Sequence, residues 1–267
     1  MLKIGLVAGV GRLPCEFAKI AKNYGFYVVA VAVVADYDPE LQQHVGALYR
    51  AHIGEVNKII KLFKNEGVSK VTMIGKVTKE NLFNGMFLPD WRAIKALASL
   101  PNRNDDTLML AVVNEFAKDG ISVMDQSKLL AGLLPKPGVL TKRQPTEEEL
   151  ADIEYGYEMA LRIGSLDIGQ TVVVKDKAIM AVEAIEGTDE CIKRGGKLAR
   201  GGAVVAKTAK PQQDNRFDLP TVGVDTINSM LEGGATVLVM QAEQTFLVDR
   251  EQVIAKADEH GLCIVVK

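Results

Sequence analysis

The sequence predicts an α/β protein in two parts, a doubly wound parallel sheet followed by a second, mixed α/β domain. Three observations lead there. Short β-branched runs alternate with amphipathic helical stretches through the first half of the chain. A cluster of helix- and strand-breaking residues, Pro135, Pro137, Gly138 and Pro145, then interrupts the pattern. Beyond it helices and strands resume, opening with a capped helix and then a hairpin. A chain of 267 residues, 48% hydrophobic and 25% charged, can bury two modest cores.

Taken in order, residues 2–7 (LKIGLV) form a short apolar strand running into Gly9 and Gly11, and apolar positions over 14–24 recur at helical spacing. Residues 27–34 (YVVAVAVV) are a continuous apolar run, the pattern of a strand buried on both faces of a parallel sheet. Over 56–65, Val56, Ile59, Ile60 and Phe63 share one helical face, and 71–74 (VTMI) supply the next strand. The segment 105–118 starts with two aspartates and ends on Lys118, complementing a helix dipole, and a strand follows at 121–124. These elements make a first domain, residues 1–134. The proline-rich stretch is read as a hinge, and residues 135–267 as the second domain. There Thr146 followed by three glutamates predicts a capped helix reaching 163. Residues 172–174 and 179–182 flank KDKA as a hairpin. Strands are expected at 202–207, 236–240, 245–248 and 262–266, with helices at 225–231 and 250–260.

Charge and cysteine usage narrow the function classes. Thirty-two Lys and Arg against 34 Asp and Glu give a net charge of −2, so no global positive field recruits nucleic acid or an anionic membrane. Cys15, Cys191 and Cys263 form neither a CxxC pair nor an even disulfide set, which suits a reducing cytoplasm. The N-terminal apolar run is broken by glycines and a proline, unlike a signal peptide, and no stretch reaches the roughly 18–20 apolar residues of a membrane span. His44, His52 and His260 lack zinc-ligand spacing, and no G-x-S-x-G elbow is present.

Two regions carry chemistry. In GLVAGVGRLP, Gly9 and Gly11 lie between a strand and a helix, where backbone N–H groups can approach a phosphate or sugar. Pro14 occupies the third position of G-x-G-x-x-G and the chain has no Walker sequence, so a plain tight turn explains the stretch equally well. In the second domain, polar residues crowd after apolar strands: Glu183, Thr188 and Asp189, then Lys207, Lys210, Asp214, Arg216 and Asp218. Lys207, Lys210 and Arg216 are cations suited to phosphate oxygens, and Asp214 and Asp218 are carboxylates suited to a divalent metal or a water. A solvated loop of mutually paired charges is the plainer explanation. Thr188 has two readings, helix cap or grip on a phosphate, and one hydroxyl does not readily serve both.

The segments GLVAGVGRLP, DDTLM, DIGQTVVV, AVEAIEGTDECIKRGG and AKTAKPQQDNRFDLPTVGVDTI, in this order, resemble the UDP-2,3-diacylglucosamine pyrophosphatases of lipid A biosynthesis, the type with two α/β domains. EGTD followed by KPxQDxRxDLPTxG is the most specific part, and the resemblance runs the length of the chain. It implies a Rossmann-like parallel sheet in the N-terminal domain, and hydrolysis of UDP-2,3-diacylglucosamine to UMP and 2,3-diacylglucosamine 1-phosphate in a cleft between the domains. It also implies Mg²⁺ or Mn²⁺ as cofactor and a homodimer, in the cytoplasm or peripheral to the inner membrane. Carried onto this chain, Gly9, Gly11 and Arg12, with Lys76 and Thr107, line the N-terminal side of the site. Gln170, Thr188, Asp189, Lys207 and Arg216 line the C-terminal side, and Asp218 and then Asp214 are the catalytic and metal-binding carboxylates, with Asp225 third. Met86, Phe87, Leu88 and Trp91 are candidates for an acyl-chain wall or a membrane contact, core packing being the plainer use. Val10, where the family often has glycine, and the C-terminal CIVVK depart from the pattern. Two other functions fit the same residues: a nucleotide-dependent oxidoreductase, with Asp36 near the end of the second strand, and a non-enzymatic nucleotide-sugar or lipid sensor.

Overall fold

A computed structural model of the chain describes residues 1–77, 89–98, 105–211, 216 and 219–267, without the side chains of 105 and 106. It divides into two units, residues 1–130 with Arg216 and the described residues of 131–211 with 219–267. In the first, strands β1 (Lys3–Ala8), β2 (Tyr27–Ala32), β3 (Ala47–Arg50), β4 (Lys70–Ile74) and β5 (Ser122–Val123) form an all-parallel sheet in the order β3-β2-β1-β4-β5. Helices α1 (Leu13–Asn23), α2 (Leu41–His44), α3 (Val56–Asn65), α4 (Trp91–Ala98), α5 (Asp105–Lys118) and α6 (Gln126–Leu129) connect or flank the strands. The apolar face expected of α3 packs where the pattern demands: Ile59, Ile60 and Phe63 join Val29, Val31 and Phe116 in one buried cluster. Because β1 lies between β2 and β4, the strand order reverses beside the C-terminal end of β1, the place where open α/β sheets form a crevice.

The second unit holds a six-stranded mixed sheet. Its elements are β6 (Gly138–Val139), α7 (Glu147–Ser165), β7 (Thr171–Lys175), β8 (Ala178–Val182), α8 (Thr188–Ala199), β9 (Ala203–Lys207), β10 (Thr221–Val222), α9 (Val224–Gly233), β11 (Ala235–Met240), β12 (Phe246–Leu247), α10 (Arg250–Glu259) and β13 (Cys263–Val266). The sheet order is β6-β13-β11-β9-β7-β8: β9, β11 and β13 are parallel, whereas β7 runs antiparallel to both neighbours. Strand alternation divides the core, with Val172 and Val174 packing on one face beside Ile153 and Val204, and Val173 on the other beside Ile192 and Val205.

Four local features differ from the sequence expectation or refine it. The proline-rich stretch read as a hinge contributes β6, which pairs antiparallel with β13 through Val139 and Val265. The expected strand at 245–248 shrinks to Phe246–Leu247, paired in parallel with β10. The predicted hairpin turns on Asp176 and Lys177, both at positive φ, and is pinned by buried Asp152 of α7, whose carboxylate accepts their N–H groups at 2.8 and 2.6 Å. The predicted cap of α7 is a reciprocal pair: Thr146 Oγ1 accepts from Glu149 N–H at 3.2 Å, and the Glu149 carboxylate accepts from Thr146 N–H at 2.9 Å. No helix among the described residues is long and apolar enough to cross a membrane.

Candidate functional site

The glycine turn of the first unit sits at the switch point. Gly9 N–H donates to Ile74 O at 2.8 Å, and Val10 and Lys76 exchange backbone hydrogen bonds at 2.8 and 2.9 Å, tying the ends of β1 and β4 together. The approach is so close that a Cβ on Gly9 would lie 2.5 Å from the Lys76 carbonyl oxygen. Gly75, at φ +102°, faces Gly9 with the same intolerance. Gly11, at φ +108°, has open space where a side chain would stand, leaving the outer side of the turn accessible. Val10 is compatible with this geometry because it sits in the bridge, while the tight approach falls on its neighbour.

Arg12, which opens α1, is not aimed into empty space. Its guanidinium donates to Asp38 at 3.0 Å and to Glu40. Glu40 also meets Lys19 and His44, each at 3.1 Å. Together Arg12, His44 and Lys19 hold the Glu40 carboxyl well below its ordinary range. Burial opposes ionisation of Asp38, but the Glu40 N–H and Arg12 outweigh it and lower its pKa. Sequence reasoning sought an acid here at Asp36, which is exposed; the carboxylates that meet the turn are Asp38 and Glu40. Lys76 is exposed and Thr107 half-buried on α5.

The second unit gathers its predicted residues at the end of the sheet formed by the C-termini of β8 and β9 and the start of β7, where Thr171 pairs with Lys207. Lys207, the last residue of β9, is only 5% exposed, and its ammonium donates to Thr188 Oγ1 at 3.0 Å. Thr188, 8% exposed, donates in turn to Glu183 Oε1 at 2.9 Å, and Gln170 N–H reaches Glu183 Oε2 at 3.3 Å. Gly169 makes this possible, since a Cβ there would lie 2.2 Å from the Glu183 carbonyl oxygen. The cap of α8 is Gly187, at φ +83°, rather than Thr188; the hydroxyl serves the lysine and the carboxylate instead of the helix end. Burial and then the charge of Glu183 push the buried Cys191 thiol up to about 12. Next to Lys207, fully buried Thr208 has a hydroxyl without a hydrogen-bond partner among the described residues.

Other predicted residues fall elsewhere. Asp189 accepts from Ser229 of α9 at 3.2 Å, tying two helices. Lys210 pairs with Asp167 at 2.6 Å, a partner outside its own loop segment. Asp225 is exposed in the first turn of α9, and Arg216 is half-buried. Asp214 and Asp218 lie outside the described residues, as do Met86, Phe87 and Leu88, while Trp91 is exposed rather than in the core. Among the described residues no three His, Cys, Asp or Glu side chains are grouped to hold a metal ion. Glu183, which the sequence places only among the polar residues that follow the strands and to which it gives no role, lies one residue beyond β8 and five before Thr188.

Comparison with known proteins bears on both units. The model for the LpxI N-terminal domain matches residues 3–133, and the model for the LpxI C-terminal domain matches residues 136–265. The chain is 37% identical over 276 residues to the UDP-2,3-diacylglucosamine pyrophosphatase LpxI of Caulobacter vibrioides, covering 99% of this chain and 97% of that one. A shorter similarity, 30% over 132 residues, reaches the bifunctional purine biosynthesis protein PurH of Brucella ovis, covering 48% of this chain and 23% of that protein. Among solved structures, CobK precorrin-6A reductase aligns with TM-score 0.36 at 11% identity, covering 100% of this chain and 87% of that one. UDP-glucose 4-epimerase of Thermotoga maritima with UDP-glucose aligns with TM-score 0.31 at 13% identity, covering 45% and 35%. At these TM-scores neither carries an argument about this chain.

Proposed function

We infer the function from one premise: this chain belongs to the LpxI family. It hydrolyses the pyrophosphate of UDP-2,3-diacylglucosamine to UMP and 2,3-diacylglucosamine 1-phosphate, a step of lipid A biosynthesis. The observation that carries this is the similarity to the Caulobacter vibrioides pyrophosphatase over nearly the full length of both chains. The local geometry supplies what attack on a phosphoanhydride requires of the protein. Lys207 presents a buried cation whose position is set by Thr188, and a cation held in a site of low dielectric stabilises charge developing on phosphate oxygens far better than a mobile surface lysine. The first turn of α8 adds the positive end of a helix dipole beside it. In the first unit, the open side of Gly11 gives the backbone of the turn room to approach a phosphate or sugar.

The metal belongs to this reading as an expectation of the family resemblance. Mg²⁺ or Mn²⁺ would fall to Asp218 and Asp214, the carboxylates to which the resemblance assigns it, and no step above runs through it. A homodimer beside the cytoplasmic face of the inner membrane is part of the same reading. The test is UMP release from UDP-2,3-diacylglucosamine by the purified protein, with Mg²⁺, with Mn²⁺ and with chelator, run beside Asp218→Ala and Asp214→Ala. Loss of turnover in chelator and in one of the two variants, with UDP binding retained, supports the assignment. Full turnover in chelator removes the metal, and full turnover in both variants removes these carboxylates.

A further inference from the structure

We propose that Glu183 is a positioning residue for this reaction, acting through the Thr188 hydroxyl to fix the ammonium of Lys207; the proposal rests on the hydrolase reading above. Three facts of geometry carry it. Thr188 has a single hydroxyl proton, and Glu183 Oε1 stands 2.9 Å away to accept it. With its proton committed there, the hydroxyl presents lone pairs, and the Lys207 ammonium donates into one at 3.0 Å. Glu183 is itself fixed, because Gln170 N–H donates to its other oxygen at 3.3 Å and its own N–H donates to Thr171 O at 2.9 Å.

The order of donors matters. Without the carboxylate, the Thr188 proton is released to rotate, and the hydroxyl can turn it toward the lysine, where it repels the ammonium. With Glu183 present the chain has one polarity, ammonium to hydroxyl to carboxylate, and each hydrogen bond strengthens the next. The same polarity keeps Thr188 from donating to a phosphate, so Lys207 rather than Thr188 meets the anion. Glu183 also places a carboxylate two hydrogen bonds from the Lys207 ammonium, which is only 5% exposed.

The experiment is a mutant cycle on the full chain with Glu183→Ala, Thr188→Val, Lys207→Met, the pairwise doubles, and Thr188→Ser as the conservative variant. Two readouts are taken from each preparation: kcat and KM for UMP release from UDP-2,3-diacylglucosamine, and the affinity for UDP by calorimetry. Glu183→Ala and Thr188→Val should each lower kcat/KM by about 10- to 100-fold, the worth of a hydrogen bond to a charged group. Thr188→Ser should retain most of the activity, and Glu183→Ala should have no further effect in a Lys207→Met background. Multiplying losses, or an undiminished effect of Glu183→Ala without Lys207, would overturn the proposal. If Glu183→Ala fails to fold, Glu183→Gln keeps the acceptor and bulk while removing the charge, and is expected to fall between wild type and alanine. UDP affinity that shows the same non-additivity in a protein without turnover would retain the positioning role and reject the hydrolase. Turnover with additive variants would do the reverse.

Discussion

Replacing Lys207 by methionine separates activity from folding. The lysine side chain is 5% exposed, and methionine matches its unbranched stem closely enough to fill the same space. What disappears is the charged donor 3.0 Å from Thr188 Oγ1. Two effects on stability oppose each other. The lost hydrogen bond to Thr188 costs stability, whereas relief of ammonium desolvation restores it. Glu183 is half-buried and can recover water, so its charge is not stranded, and the net change should stay within about 1 kcal/mol. Activity has no such compensation, because no thioether can neutralise a phosphate oxygen, and the loss of one preorganised electrostatic partner should lower kcat by about 10²- to 10³-fold. The assays are the urea midpoint and slope of the purified variant, and UMP release per mole of folded protein. A variant destabilised by several kcal/mol, with undiminished turnover in its folded fraction, would show that Lys207 is a structural residue and refute the argument.

Gly9→Ala places a methyl group 2.5 Å from the Lys76 carbonyl oxygen, so urea denaturation should show a loss of about 1–3 kcal/mol; a neutral result would mean that the ends of β1 and β4 separate easily. Asp152→Ala removes the acceptor of two turn N–H groups and should cost about 2–3 kcal/mol, with Asp152→Asn costing less, as read from the same unfolding curves. Glu149 supplies an acid limb to stability: burial opposes its ionisation, but Arg143, the Thr146 N–H and Thr236 outweigh it, so its folded pKa lies below the ordinary 4.5. Its contribution is therefore fully present above that value and is lost as the pH falls through the lower folded one, and Glu149→Gln should flatten stability against pH across that interval.

Much of the fold was legible because its strands are buried on both faces and declare themselves by continuous apolar runs, as in Tyr27–Ala32 and Ala235–Met240. The cap of α7 was legible because Thr146 and Glu149 signal it locally. Short elements were not: α2 (LQQH) and β3 (ALYR) carry too few residues for a period, and β6 exists only because β13 offers it an edge. The site divides in the same way. Lys207 and Thr188 stood in a recognisable segment and come together across nineteen positions of sequence. Glu183, Asp38 and Glu40 acquire meaning only from tertiary neighbours: Glu183 from the register of β7 on β8 and β9, and the other two from the path of the chain after β2, which returns to Arg12. Strand ends mark both Lys207 and Glu183 as polar residues in the sequence, but only the fold joins them through Thr188.

The most direct measurement of the central claim is the identity and ratio of products when the purified wild-type protein meets UDP-2,3-diacylglucosamine. The account predicts UMP and 2,3-diacylglucosamine 1-phosphate in equal amounts, rising together with time and falling together in Lys207→Met. Release of UDP with the free diacylated sugar, or tight binding of a substrate that stays intact, would contradict it.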